Sequence, residues 1–202
     1  PFILFVSTRE VGKNGYMDWQ QIKEIELSGL GVIGNHSHTH EYLIDWTNDK
    51  IKTDLETSIE IFKKELGYSP EIFSYPFGEY STDLKKIVEN LNFKFAFGQH
   101  SGVIDPTKDF LELPRFPINE KYGEIKRFKS ILQTLPFPYE SITPKNRYIN
   151  KDNNPPKVKI KFFDNLINVK NINCYSNEGN IWNKSNIKFL NNNEMMILLR
   201  EK

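Results

Sequence analysis

Short apolar runs alternate with longer stretches of helical spacing along the first two thirds of this chain. Phe2-Ile3-Leu4-Phe5-Val6 is continuously apolar, as expected of a strand buried on both faces. A polar, Gly-containing loop from Ser7 to Gly15 follows. Asp18 with Gln21 three residues on forms a capping-box pattern, opening a helix with Trp19, Ile22 and Ile25 on one face that stops near Gly29. Gly31-Val32-Ile33 reads as a second buried strand. Ile51, Leu55, Ile59, Phe62 and Leu66 recur at spacings of three and four, with charged residues between them and Gly67 closing the helix. Glu71 to Tyr75 is strand-like and runs into Pro76-Phe77-Gly78. Ser81 caps a helix with Leu84, Ile87, Val88 and Leu91 inward, followed by the strand Phe93 to Phe97. Beyond the His100 loop, Phe110 to Leu113 reads as a further strand leading to Pro114-Arg115, and a last helix from about Gly123 to Leu135 is expected to bury Ile125, Phe128, Ile131 and Leu132. Strand–helix alternation over 1–135 predicts a parallel α/β core, with chemistry in the loops that leave the carboxyl ends of the strands.

Residues 136–156 change character: five prolines, several asparagines and no apolar period read as a linker or extended wrap. From 157 to 202, Val158, Ile160 and Phe162 alternate with lysines. Further β-like runs follow at Ile167–Cys174, Asn180–Trp182, Ile187–Leu190 and Met195–Leu199. This predicts a small all-β module below the size that usually folds alone. Its aromatics Tyr175 and Trp182 suit stacking on sugar rings, with core packing the plainer expectation.

Composition sharpens this little. At 202 residues, 38% hydrophobic and 13% aromatic, the chain can build one ordinary core plus an appendage. A net charge of +1 argues against an electrostatic nucleic-acid footprint. No run has the length of a membrane span, and the N-terminus lacks the pattern of a signal peptide. The single Cys174 excludes an intramolecular disulfide framework. The chain opens on Pro1, without Met, directly in a strand, and ends inside what looks like another element, so it reads as a piece of a longer protein.

The chemistry concentrates in Gly34-Asn35-His36-Ser37-His38-Thr39-His40, where three of the four histidines fall within five residues after a strand. Neutral imidazole is a common metal ligand, and this density favours a metal site over a His-rich surface turn. On an extended strand the outer two lie roughly 13 Å apart, leaving His36 with His38, or His38 with His40. In a tight turn, positions four apart are neighbours at about 6 Å, and the pair becomes His36 with His40.

With these motifs placed, the sequence resembles the polysaccharide deacetylases, carbohydrate esterase family four. His36-Ser37-His38-Thr39-His40 fits the family's His-(Ser/Thr)-x-x-His motif, and Phe73-Ser74-Tyr75-Pro76-Phe77-Gly78-Glu79-Tyr80 looks like its Tyr-Pro-Phe-Gly variant. Met17-Asp18-Trp19 before the first helix also looks like the family. The similarity covers roughly residues 1–120. The resemblance implies a distorted parallel (β/α) barrel, here incomplete at the N-terminus, over 1–135. It selects His36 and His40 as ligands of a divalent ion, zinc or another transition metal. Tyr75, Pro76, Phe77 and His100 are implied to line the substrate groove, with the Phe77 N–H aimed at the oxyanion. The implied activity is hydrolysis of N-acetyl groups on a polysaccharide or related glycan, and the implied setting is the cell envelope.

The departures are specific. The family's Thr-Phe-Asp-Asp motif, carrying the base and the third ligand, belongs upstream of a strand like Phe2–Val6, so this piece is expected to be inactive alone. Arg115 resembles the arginine that orients the base Asp in members without Arg at the Ser74 position; a structural ion pair explains it equally. No His follows His100 to serve as the late general acid. Two other readings compete: a glycan-binding protein without catalysis, and a His-x-His amidohydrolase using His36 and His38.

Overall fold

The computed structural model describes residues 1–163, 171–178 and 180–199. The chain divides into two units, Pro1–Pro136 and Phe137–Lys202. In the first, β1 (Phe2–Val6), β2 (Gly31–Asn35), β3 (Ile72–Ser74) and β4 (Phe95–Phe97) form one parallel sheet in sequence order. Its register runs Phe2↔Gly31 to Val6↔Asn35, then Asn35↔Phe73, then Ile72↔Phe95 to Ser74↔Phe97. Parallel neighbours need crossovers, supplied by α1 (Trp19–Leu27), α2 (Asn48–Leu66) and α3 (Thr82–Asn90).

Local signals hold where expected. Asp18 and Gln21 form the reciprocal capping box, and Gly67 ends α2 in the left-handed region at φ +83°. Ile51, Leu55 and Phe62 of α2 are buried, with Ile59 and Leu66 half-buried. Phe62 joins Val6, Ile22 and Ile33 in one cluster, while Ile51 and Leu55 join Phe73, Tyr75, Leu84 and Val88 in the other.

The described strands make an open four-stranded parallel sheet, and the parallel α/β core is as expected; closure into a barrel is not seen among them. Two other expectations fail in this unit. Phe110 to Leu113 is not a strand: a turn at Asp109 takes up Leu111 and Glu112, leaving one parallel bridge, Phe97↔Leu113. The last helix, α4 (Ile125–Ile131), buries none of its residues, with Ile125 at 67% and Leu132 at 69% exposure. An apolar stripe marks a face able to pack; it does not supply the partner.

In the second unit, β5 (Tyr139–Thr143), β6 (Val158–Phe162), β9 (Asn186–Phe189) and β10 (Glu194–Leu198) form an antiparallel sheet in the order β5-β6-β10-β9. Ile160, Phe162 and Met195 are its buried centre. β7 (Tyr175–Glu178) and β8 (Ile181–Lys184) pair separately as a hairpin. β5 lies inside 136–156, the stretch read as a linker. Pro138 and Pro144, which cannot donate to a ladder, crowd it from both sides and hide a five-residue strand that also carries a bulge. Half of the expected strand Ile167–Cys174, residues 167–170, lies outside the described residues, and 171–174 carry no strand. Among the described residues no helix is long and apolar enough to cross a membrane.

Leu55 is fully buried and Leu132 is not, so Leu55→Ala is expected to cost about 3 kcal/mol and Leu132→Ala less than about 0.5 kcal/mol. Urea denaturation of the two variants measures the contrast.

Candidate metal centre

The β1–β2 ladder continues one residue past β2: the His36 N–H donates to the Val6 carbonyl at 2.9 Å. The chain then turns sharply, with Ser37 at φ +67° and His40 at φ +57°. Such a turn leaves main-chain N–H groups that neither helix nor sheet can satisfy, and buried ones require acceptors. Asn35 Oδ1 accepts from Ser37 N at 2.8 Å, and Ser37 Oγ accepts from His40 N at 2.9 Å. The buried Asp54 carboxylate, presented by α2, accepts from His38 N at 2.9 Å and Thr39 N at 3.1 Å. Asn35 Nδ2 donates to Ser58 Oγ at 2.8 Å, tying the end of β2 to the same helix. From the β1 loop, Ser7 Oγ donates to the His36 carbonyl and Arg9 Nη2 to that of Thr39.

The turn brings the His36 and His40 rings to 4.7 Å between centroids, inclined at 75°. His38 goes elsewhere: its Nδ1 lies 2.9 Å from Thr8 Oγ1. Of the pairings left open by spacing, the tight-turn pair is the one formed. His36 Nδ1 lies 2.7 Å from the Ser74 carbonyl at the end of β3. A carbonyl only accepts, so Nδ1 carries the proton and Nε2 keeps its lone pair. Burial lowers the His36 pKa to about 4; the Ser74 hydrogen bond opposes the shift, and His40 and Arg115 add to it. The imidazole is therefore neutral at pH 7, the form that binds metal.

Pro76–Gly78 makes a single 3-10 turn with Phe77 at φ +58°. Gly78 sits at φ +77°, and a Cβ there would lie 2.2 Å from Gln99 Cβ, so the position has room only for glycine. The Phe77 ring lies 4.9 Å from the His40 ring and stacks on Tyr42 at 3.9 Å with planes 2° apart. The Phe77 N–H has no hydrogen-bond partner among the described residues. Tyr75 and Pro76, expected to line a groove, are buried instead. Tyr75 packs between Phe73 and Tyr80, and its hydroxyl donates to the Leu111 carbonyl at 3.0 Å. Two residues on from Phe73, it shares the core-facing side of the same extended run.

The Arg115 N–H donates to the His100 carbonyl at 3.0 Å, and its guanidinium sits 5.3 Å over the Phe5 ring. Its Nε is buried without a hydrogen-bond partner among the described residues, and burial holds the guanidinium pKa below its ordinary value. His100 is exposed in the loop after β4. A cavity of about 530 Å³ opens beside the histidine pair, lined by Phe5, Val6, Met17, Ile22, His36 and His40 among others. Its carboxylates, Glu10 and Glu41, are held by Arg9, with Lys13 also on Glu10. Among the described residues no three His, Cys, Asp or Glu side chains group to hold a metal, so His36 and His40 stand as a pair. The spacing of the motif gave no sign of Asp54, which occurs as one polar residue among many in α2; its only mark is a carboxylate adjoining the apolar face.

A family model for polysaccharide deacetylase matches residues 1–96. No curated protein matches the chain. Among solved structures, IcaB from Ammonifex degensii is similar at 24% identity and a TM-score of 0.57, over 66% of this chain and 62% of that one. The Streptococcus pyogenes deacetylase PplD, solved in complex with acetate, is 21% identical with a TM-score of 0.58, over 65% and 58%. A polysaccharide deacetylase from Bacillus cereus is 22% identical with a TM-score of 0.56, over 65% and 41%. At these identities the likeness is one of fold, a mixed α/β fold with a parallel sheet. This chain spans less than two thirds of each of the three.

Two outcomes are expected of this geometry. Asp54→Ala strands two half-buried N–H groups and is expected to cost roughly 2–4 kcal/mol, read by urea denaturation. The unfolded His36 titrates near 6.5 and the folded one near 4, so the unfolded chain binds the extra proton between these values. The metal-free chain should therefore keep this contribution above pH 6.5 and lose it as pH falls towards 4, on the order of 2–3 kcal/mol. His36→Gln should flatten that part of the stability–pH curve.

Proposed function

We propose that this unit, whose residues 1–96 match the family model for polysaccharide deacetylase, serves the metal-dependent removal of N-acetyl groups from a polysaccharide or related glycan. The observation that carries the reading is the His36–His40 pair, 4.7 Å apart, with His36 kept neutral and its tautomer fixed by Ser74. Two imidazoles suit zinc and other transition ions. A divalent ion held by His36 and His40 would supply Lewis acidity for an amide carbonyl and for activating water.

The chain's own residues take the remaining roles. Ser74 holds the His36 ring through Nδ1–H, leaving Nε2 as the ligand atom. The unpartnered Phe77 N–H is the donor for the oxyanion, fixed by the ring contacts of Phe77 with His40 and Tyr42. Arg115, with its buried, unpartnered Nε, is built to receive and orient a carboxylate, the general base of the reaction. His100 and the Phe77 ring border the substrate. The His-x-His amidohydrolase reading loses its footing, since His38 turns to Thr8 while His36 pairs with His40.

Equilibrium dialysis against zinc tests the assignment. About one ion per molecule is expected of the full-length protein, abolished by His36→Ala or His40→Ala and only weakened by His38→Ala. Full metal content in both of the first two variants would sink the site, and equal loss in all three would restore a strand-type pair.

A further inference from the structure

The β7–β8 hairpin departs from its expected role. Tyr175 and Trp182 are 62% and 69% exposed, and neither ring has a partner among the described residues. The register pairs Tyr175 with Lys184 and Asn177 with Trp182. Residues opposite each other in an antiparallel pair share a face, as do residues two apart along a strand. One face of the hairpin therefore presents Tyr175, Asn177, Trp182 and Lys184, all exposed, while Ser176 and Asn183 on the other face are half-buried. The two aromatic residues are diagonal neighbours, roughly 7 Å apart.

The base of this hairpin is fastened. Ser185, buried between β8 and β9, donates from its N–H to the Cys174 carbonyl and from its hydroxyl to Ser176 Oγ, each at 2.9 Å. Cys174 in turn packs against the Ile160–Phe162–Met195 core. The exposed face is thus carried on an anchored strand pair.

We propose that this face binds a glycan chain bearing N-acetyl groups. Two open rings without an aliphatic side chain between them match the apolar C–H faces of pyranose rings. The Asn177 amide and Lys184 ammonium supply donors, and Asn177 an acceptor, for hydroxyl and acetamido groups. Charge selects the form of the polymer. Residues 137–202 carry 11 Lys and Arg against six Asp and Glu, whereas residues 1–136 carry 16 against 20. A basic unit with Lys184 on the binding face repels a polymer of free amines and accepts the neutral acetylated chain. The face therefore prefers the deacetylase's substrate to its product. This choice of ligand rests on the function proposed above.

The test titrates the full 202-residue chain with the N-acetylglucosamine hexamer, its fully deacetylated counterpart and a single-stranded oligothymidylate, by calorimetry and tryptophan fluorescence. The acetylated hexamer should bind, and the deacetylated one roughly tenfold more weakly. Trp182→Ala and Tyr175→Ala should each weaken binding roughly tenfold or more with no change in melting temperature, and Trp182→Phe should largely restore it. Undiminished binding in both alanine variants, no binding by the unaltered chain, preference for the amine polymer, or preference for the oligothymidylate overturns the proposal. In the full-length protein, His40→Ala separates the two readings: it should lose metal and keep the hexamer. Hexamer binding by a full-length protein that holds no zinc would sink the metal centre and leave this face standing.

Discussion

The candidate site depends on one buried carboxylate. Residues 37–40 turn through left-handed backbone at Ser37 and His40, so their N–H groups are lost to both β2 and α2. Asp54 accepts from two of them, while Asn35 and Ser37 accept from the others. Burying a carboxylate is costly unless strong hydrogen bonds compensate, and two main-chain donors do so here. Asp54 is placed by α2, which is placed by Leu55 and Phe62 in the two apolar clusters. The spacing of the two imidazoles is thus set by core packing along the same buried side of the helix.

The sheet adds a second constraint. His36 is held by its N–H to Val6 at the end of β1 and by its ring to Ser74 at the end of β3. One residue is therefore bound to all three strands, its own included, and their parallel register delivers both contacts at the same end. Burial beside Arg115 and His40 then removes its proton at neutral pH. Position, tautomer and charge state of this histidine follow from the stacking order of the strands.

Much of this was legible in the chain. Continuous apolar runs marked β1 and β2, the three-and-four spacing marked α2, and the caps at Asp18, Gly67 and Ser81 marked helix ends. The histidine cluster was visible by density alone. Other features were hidden for physical reasons. Asp54 serves the turn through main-chain hydrogen bonds, which leave no motif. β5 is masked by flanking prolines that strand pattern reading counts against it. The stripe on α4 has a helical period yet meets no core, and a run of βα units does not by itself say whether a sheet closes. Tyr175 and Trp182 alternate as buried residues would, but the hairpin turns them outward.

Tyr75 and Phe77 show how a single alternation can divide core from site. Phe73 and Tyr75 point into the same cluster, so Tyr75 is committed to packing and to its hydrogen bond with Leu111. Had the strand continued, Phe77 would have followed it inward. Instead the chain enters the Pro76–Gly78 turn, where Phe77 takes φ +58°, a conformation that costs a non-glycine residue about 1–2 kcal/mol. Gly78 makes the turn possible because Gln99 leaves no space for a side chain there. The stack on Tyr42 and the contact with His40 offset the cost, since an aromatic pair contributes about 0.5–1.5 kcal/mol beyond its buried area. The strained residue is therefore held by the loop that carries the histidines, and any shift of that loop moves the Phe77 N–H with it. Two halves of the proposed site, ligand pair and oxyanion donor, are coupled through these ring contacts and through the His36–Ser74 hydrogen bond at the end of β3.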